Sequence, residues 1–444
     1  MEPILTLSPG AAFAIGRLES RGYEAYAVGG CVRDSLLGKV PHDWDLTTSA
    51  TPDETLAAFA DCRVIETGVK HGTVTVLYGG EPLEITTYRL DGAYADNRHP
   101  TSVTFSKTLE DDLSRRDFTV NAMAYHPKRG LVDLFGGRDD LSRGVIRCVG
   151  DPATRFGEDG LRILRAVRFA SVLGFSLDPA TADAVHARRS LLGNIARERV
   201  REEWNKLLLG KTPAAILRDY ADVAAEVIPE IAPAVTCPQN VVTHCYPVFE
   251  HTLAALTVAP ADLVLRLAVI FHDLGKPGTR TETPNGDRFP GHAERSAEIA
   301  DAAMRRLRYD NATREETVRL VRLHDSVIPA TEKGVRRLLR ELPPESVLRL
   351  MELKKCDRAG HAPDYRYPAP EVERIPGILQ TVLARGDCVS LHTLAVNGKD
   401  LLSLGIPAGR DVGALLERLL DRVVDGDLPN EKQALLAEAK RLFR

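Results

Sequence analysis

The texture of the chain changes once, near Glu158, and that change limits the fold more than any other feature. Before it, short runs rich in Val, Ile, Thr and Tyr alternate with helical ones. YEAYAVGG reads as a strand entering a glycine turn, CVRDSLLG as a short helix, and DWDLTTS, TVTVLYGG and PLEITTYRL as further strands. After it, EDGLRILRAVRFASVLGF places Leu161, Leu164, Val167 and Val172 at helical spacing, and helical patterns continue almost to the end. This predicts an α+β chain: a small sheet-based head followed by mainly helical domains. Proline-rich breaks at 229–238, at Pro260 and at 363–376 interrupt the helical part. The expected division is a head at 1–150, a helical neck at 151–240, a further helical domain at 241–365 and a helical tail at 366–444.

Composition narrows the class. At 44% hydrophobic and 27% charged residues the chain is ordinary globular material. No apolar stretch reaches the roughly 20 residues that span a bilayer, and MEPILTLSPG lacks a signal peptide's basic-then-apolar order. Seven scattered cysteines without a C-x-x-C pair predict reduced thiols and a cytoplasmic location. No membrane and no protein partner is expected. A net charge of −4 by itself disfavours nucleic-acid binding. Arginine, however, clusters at 162–168, 188–201 and 305–340, and each cluster reads either as a solvated helix face or as part of a basic strip.

Two constellations in the first half carry chemistry. Asp43 and Asp45 lie two apart in a strand pattern, so their carboxylates share a face. A convergent carboxylate pair suits Mg2+, with substrate phosphates supplying the remaining ligands. Gly29 and Gly30 precede it in GGCVRD, where the backbone can approach a phosphate and Arg33 can meet a triphosphate. Glu84 on the strand PLEITTYRL is either a third carboxylate or a support. In the second constellation Asp159 and Arg162 stand at i and i+3, hence side by side on one helix face. Such a pair is either an ion pair or a reader of cytosine and adenine. Both bases present an exocyclic amine, which a carboxylate accepts from, beside an unprotonated ring nitrogen, to which a guanidinium donates. Uracil and guanine present the opposite pattern.

GGCVRD, DWDLTT, RRDFTVNAMAY and EDGLRILRAVRF, in this order, resemble the signature blocks of class II tRNA nucleotidyltransferases and bacterial poly(A) polymerases over roughly residues 23–210. NGKDLLSLGIPAGRDVGALLERLLDRVVDGDLPNEKQALL resembles their RNA-binding tail. The resemblance implies a polymerase-β-like head that adds CCA to the tRNA acceptor end from CTP and ATP, with Asp43 and Asp45 as catalytic metal ligands. It assigns Gly30, Arg33 and Arg116 to nucleotide phosphates and Asp117 and Asn121 to the ribose. Asp159 and Arg162 become the base-selecting pair, followed by Arg165 and Arg168 toward triphosphate or RNA. RLDGAYADNRHPTSVTF at 89–105 resembles the mobile loop of enzymes that add the terminal adenosine.

Farther on, FHDLGKP resembles the core of the HD phosphohydrolase superfamily over roughly residues 244–360. The likeness implies that His251, His272, Asp273, His292, His324 and Asp357 bind a divalent metal such as Mn2+, Ni2+, Fe2+ or Mg2+. Lys276 is either a phosphate contact or a surface lysine. Hydrolysis of 2′,3′-cyclic phosphates or 2′-phosphates is one implied activity, and a scaffold role is the other. The alternatives to CCA addition are A-only addition, poly(A) synthesis and a purely HD phosphohydrolase.

Overall fold

In the first unit, β-branched runs pair into one sheet. In the computed structural model, which describes residues 4–91, 103–367 and 369–443, the strands are β1 (Ala25–Val28), β2 (Trp44–Thr48), β3 (Arg63–Ile65), β4 (Thr73–Tyr78), β5 (Glu81–Thr87), β6 (Arg89–Asp91), β7 (Val103–Phe105), β8 (Met123–His126) and β9 (Gly130–Asp133). Seven of them form the sheet β3-β4-β5-β2-β1-β8-β9, and β6 and β7 pair separately as an antiparallel stem. The expected mobile loop lies mostly at 92–102, outside the described residues; only its ends, β6 and β7, are seen.

The middle of the sheet positions the carboxylates. β1, AYAV, is buried throughout, as a central strand flanked by β2 and β8 must be. On β2 every residue is buried except Asp45. β2 runs parallel to β5, and this register sets Asp45 directly beside Glu84. Leu46, the next residue, is 1% exposed and is paired with Ala27 on one side and Ile85 on the other.

The neck begins with helix Pro152–Glu158, followed by helix Leu161–Leu173. Leu161, Leu164 and Val167 are buried as their spacing predicts, whereas Val172 is half-buried. Gly174, at φ 75°, ends this helix in the left-handed region. A short parallel pair, β10 (Val145–Ile146) and β11 (Ser176–Leu177), flanks it in sequence.

The structure separates into two units, Met1–Pro229 and Glu230–Arg444. In the second, helices Val248–Val258, Leu263–Phe271, His292–Arg306, Asn311–Leu323 and Pro344–Ala359 pack around a buried core. An antiparallel hairpin, β12 (Thr281–Thr283) and β13 (Gly286–Arg288), interrupts a stretch the sequence pattern presents as helical. Its strands are short and polar, so the turn at Asn285–Gly286, with Gly286 at φ 106°, is the only signal. The expected break at 363–376 is also shorter than predicted. Helix Pro370–Arg385 runs through Pro376 because it buries Val372, Ile375, Leu379 and Val382 on one face. A second core, around Leu401, Leu419, Leu420 and Leu435, closes the tail. Among the described residues no helix is long and apolar enough to cross a membrane.

Leu46→Ala should destabilise the first unit by about 2–5 kcal/mol, because it empties a site in the middle of the sheet. Urea denaturation followed by tryptophan fluorescence checks this. An unchanged midpoint would mean that β2 is not a packed central strand.

Candidate functional site

β1 ends at Val28 and the chain turns at Gly29, whose φ of 81° favours glycine. A Cβ there would also lie 3.0 Å from Arg116 Nη1. Helix Gly30–Leu36 follows and carries Arg33, which is buried. Arg33 donates from Nη1 to Asn121 Oδ1 at 2.6 Å and from Nε to Asp34 at 2.9 Å. Asp43 lies just before β2 rather than in it, and both Asp43 and Asp45 reach solvent. Partial burial, then Glu84, raise the Asp45 carboxyl above its usual range; Asp43 adds to this and Arg116 opposes it. Carboxylates repelling one another in this way are a fit for a divalent cation. Among the described residues, however, three or more ligand atoms gather within 4.8 Å only in the second unit. The head carboxylates are looser, in keeping with a cation that takes most of its ligands from substrate phosphates.

Beside the carboxylates, two buried acids hold arginines in place. Asp112, fully buried, accepts from Arg115 at 2.6 and 3.0 Å, from Arg116 at 3.1 Å and from Thr47 at 3.1 Å. Asp117 accepts from its neighbour's Phe118 N–H at 2.9 Å, from Asn121 Nδ2 at 3.2 Å and from Arg165 Nε and Nη2 at 2.9 and 2.6 Å. Burial acts to raise the Asp117 carboxyl, but the Arg165 charge and these hydrogen bonds outweigh it and pull it down to about 2. Glu203, on helix Arg197–Leu208, accepts from Arg168 Nε at 2.8 Å and lies 3.7 Å from Arg165. The guanidinium groups of Arg33, Arg165 and Arg168 lie 5.2, 5.4 and 3.5 Å from the Phe169 ring. Arg33, Asn121, Asp117, Arg165, Glu203 and Arg168 thus form one polar chain.

Asp159 and Arg162 are arranged differently from the expectation. Asp159 is not on a helix face: its backbone is extended, at φ −134° and ψ 106°, between helices Pro152–Glu158 and Leu161–Leu173. There it accepts from the Leu161 N–H at 2.9 Å and from Arg199 at 3.1 Å. An Asp followed by Gly160 gains more by capping the next turn than by continuing a helix. Arg162 is held instead by Glu158 at 2.5 Å and by the main-chain oxygens of Arg155 and Arg115 at 3.2 and 2.9 Å. The two residues are near in sequence and oriented by separate partners.

Asp112 and Glu203 were not anticipated. The i, i+3 and i, i+4 spacing of Asp112 with Arg115 and Arg116 was a usable signal. Glu203 carried none, since its partners lie 35 and 38 residues earlier on another helix. The arginines at 336–340 also prove to be partnered: Arg336 meets Asp387, Arg337 meets Asp425, and Arg340 meets Glu417 and Asp421. They hold the helices together rather than presenting a basic strip.

In the second unit the six expected residues come together beside a cavity of about 730 Å³. His251 and His272, with Asp357 and Asp273, form one group. His292 and His324, again with Asp273, form another. His251 Nε2 lies 2.8 Å from Asp357 Oδ1 and 3.3 Å from His272 Nε2, and His292 Nε2 lies 3.3 Å from His324 Nε2. Asp273 Oδ2 faces the first group at 3.3–3.5 Å and Oδ1 the second at 3.6–3.7 Å. Both oxygens are buried and neither accepts a well-formed hydrogen bond, although Lys276 Nζ lies 2.6 Å from Oδ2. Burial acts to raise Asp273, yet His272 and Lys276 hold it well below the usual range. Buried, ionised and unsatisfied oxygens among imidazole nitrogens fit one or two divalent cations. Lys276 is therefore a buried partner of this cluster, not a surface lysine.

Comparison with known proteins bears on both sites. A poly A polymerase head domain matches residues 25–147, and a probable RNA and SrmB-binding site of polymerase A matches 174–234. An HD domain matches 241–359, and a putative tRNA nucleotidyltransferase domain 2 matches 378–439. The chain is 35% identical over 422 residues to a CCA-adding enzyme of Lactobacillus delbrueckii subsp. bulgaricus, covering 95% of this chain and 94% of that one. Among solved structures it is similar to the CCA-adding enzyme of Bacillus stearothermophilus in complex with CTP, at 31% identity and TM-score 0.77, over 99% and 98% of the two chains. The Thermotoga maritima CCA-adding enzyme complexed with tRNA shares the fold, at 22% identity and TM-score 0.62, over 99% and 97%.

The depressed Asp117 carboxyl makes stability depend on pH. Its contribution is fully present above the unfolded value of 3.8 and is lost as pH falls through about 2. Asp117→Asn should therefore remove roughly 2 kcal/mol of that acid dependence. Urea titrations of both proteins from neutral pH down to pH ~2 check this; parallel curves would show that Asp117 is not held ionised.

Proposed function

The chain belongs to the CCA-adding enzymes, and from this membership we propose that it adds two cytidines and an adenosine to the 3′ end of tRNA from CTP and ATP. In each step the acceptor's 3′ oxygen bonds to the α-phosphorus, the bond to the β-phosphate oxygen breaks, and pyrophosphate leaves. The observation that carries this reading is the placement of Asp45 on the sheet beside Glu84 and near Arg116, next to the glycine turn. Asp43 and Asp45 would hold Mg2+, which when bound activates the attacking hydroxyl and neutralises the leaving pyrophosphate. Gly30 lets the backbone approach the triphosphate, and Arg33 and Arg116 bind it, each oriented by a protein partner: Asn121 for Arg33 and Asp112 for Arg116. Asp117 and Asn121 orient the ribose. Arg165 and Arg168, fixed by Asp117 and Glu203, line the approach of triphosphate or RNA.

Asp159 and Arg162 read the base. Their separate anchors support the role, because a carboxylate and a guanidinium held apart can each reach a different atom of one base edge. Selection is then a property of the protein and needs no nucleic-acid template. The matched segments support the division into a head at 1–150, a neck at 151–240, an HD domain at 241–365 and a tail at 366–444. Seven free cysteines support a reducing, cytoplasmic setting.

The HD centre supports a second activity on its own observation, the unsatisfied buried oxygens of Asp273. His251, His272, Asp273, His292, His324 and Asp357 would hold Mn2+, Ni2+ or Fe2+, which when bound supplies an activated water for hydrolysis of a 2′,3′-cyclic phosphate or a 2′-phosphate. Lys276, buried against Asp273, orients that carboxylate.

The deciding experiment is incubation of the full chain with tRNA lacking its CCA end, plus CTP and ATP separately and together. Complete CCA addition is expected. Addition of adenosine alone, or of a long adenosine run, would identify an A-adding enzyme or a poly(A) polymerase instead. Asp45→Ala should slow addition at least a hundredfold, about 2.7 kcal/mol in the barrier, with tRNA binding retained. A loss smaller than about tenfold would count against direct metal ligation. Competition among the four nucleoside triphosphates tests selection. Arg162→Ala should incorporate UTP and GTP more readily relative to CTP and ATP, and a variant that is slower but equally selective would exclude Arg162 as a base reader.

A further inference from the structure

Four histidines contribute to the HD centre, and three of them are oriented in the same way. His272 Nδ1 lies 2.7 Å from the Val269 carbonyl oxygen, His292 Nδ1 lies 2.9 Å from that of Phe289, and His324 Nδ1 lies 2.7 Å from that of Val321. A carbonyl oxygen only accepts, so each Nδ1 donates its proton there and each Nε2 is the nitrogen aimed at the cluster, where its lone pair would serve a bound cation. His251 departs from this pattern. Its Nε2 is in the cluster, 2.8 Å from Asp357 Oδ1, but its Nδ1 is buried and has no hydrogen-bond partner. No side chain can occupy the adjacent position, since a Cβ on Gly360 would stand 2.6 Å from that nitrogen.

What faces His251 is a pair of further imidazoles, His361 and His244, with ring centroids 5.6 and 4.8 Å away. The three rings each bring a nitrogen within 4.8 Å of the others. His361 Nε2 lies 3.5 Å from Asp357 Oδ2. A carboxylate accepts only, so the neutral His361 ring keeps its proton on Nε2 and its lone pair on Nδ1. That Nδ1 is also buried and unpartnered. His244 meets Thr243 Oγ1 through Nδ1 at 2.9 Å, and its Nε2 is likewise buried and unpartnered. With a cation on its Nε2, His251 carries its ring proton on Nδ1. The three rings then offer one donor, His251 Nδ1–H, one acceptor, His361 Nδ1, and a third nitrogen of either kind, His244 Nε2. The spacing is too long for direct bonds and suits one water, which commonly makes about three hydrogen bonds when buried.

We propose that His361 and His244, through one buried water, hold the Nδ1–H of His251 and so act as positioning residues for the cation at the HD centre. This rests on reading that centre as a cation site. The consequence is physical: an acceptor on the outer nitrogen fixes the tautomer and ring orientation of a ligating imidazole and raises its basicity. His361 Nε2 also faces Asp357 Oδ2 at 3.5 Å, so the same ring stands against two residues of one group.

The test uses the full chain stripped with a chelator and titrated with Mn2+ and Ni2+ by calorimetry, with the melting temperature of the metal-free protein as the control. His361→Phe should weaken cation binding by about 10–100-fold without moving that melting temperature, and His244→Phe should weaken it less. His361→Asn keeps a carbonyl acceptor and should restore most of the affinity. Unchanged affinity in the Phe variants would overturn the proposal. So would a high-resolution structure of the metal-loaded wild type with no water among the three rings, a result that does not depend on any variant folding. A wild type that takes up no cation would remove the HD reading itself and this inference with it, whereas normal uptake with indifferent variants removes only the inference.

Discussion

Much of the first unit's site depends on one buried carboxylate. Asp117 is ionised inside the protein, and burying a charge is unfavourable unless it is paired and hydrogen-bonded. Its partners are consequently fixed: Asn121 turns its amide N–H toward Asp117 and its oxygen toward Arg33, while Arg165 is gripped through two nitrogens. Arg165 and Arg168 then share Glu203 on a different helix. The chain of contacts carries order from the glycine turn after β1 to the neck. Arginines arranged in this way lose little freedom when a triphosphate arrives, because their orientation is set by the fold.

The HD centre is built on the opposite principle. There the Asp273 charge meets Lys276, but hydrogen-bonding capacity is left open. Asp273 has two buried oxygens without well-formed hydrogen bonds, and three histidines are tethered through main-chain carbonyls so that their free nitrogens converge. The head offers arginines already engaged by protein acids, and the HD centre offers buried acids and imidazoles that fit a cation. On the proposed reading the two sites serve different chemistry: positioning and charge neutralisation of a triphosphate in one, Lewis-acid hydrolysis in the other.

Arginine clustering by itself did not distinguish a basic strip from arginines that pair with acids on other helices. Arg336, Arg337 and Arg340 have acidic partners far along the chain, on segments around Asp387 and from Glu417 to Asp425. A charge run in sequence does not reveal whether distant acids fold against it, so net charge and clusters are weak evidence for a nucleic-acid surface until the partners are known.

The α+β class and the order of head, neck and HD segments were legible in the sequence. So were the candidate residues Asp43 and Asp45 and the six that gather at the HD centre, although Asp43 lies just before the strand rather than on it. The fold class rests on local periodicity and the head carboxylates on a short motif, both of which survive in one dimension, whereas the HD residues were legible through the resemblance that FHDLGKP carries. Three features were decided only by the tertiary structure. Glu84 came beside Asp45 through the parallel register of β2 and β5, which no local pattern encodes. Asp159 left the helix because Gly160 and a free N–H at Leu161 made a cap more favourable than another helical turn. Glu203, His244 and His361 reached their sites from other elements, and their worth depends on desolvation and on which neighbouring atoms lack partners. A hydrogen bond between residues far apart in sequence exists only once packing has excluded water from both, and that is a property of the fold rather than of the sequence read in order.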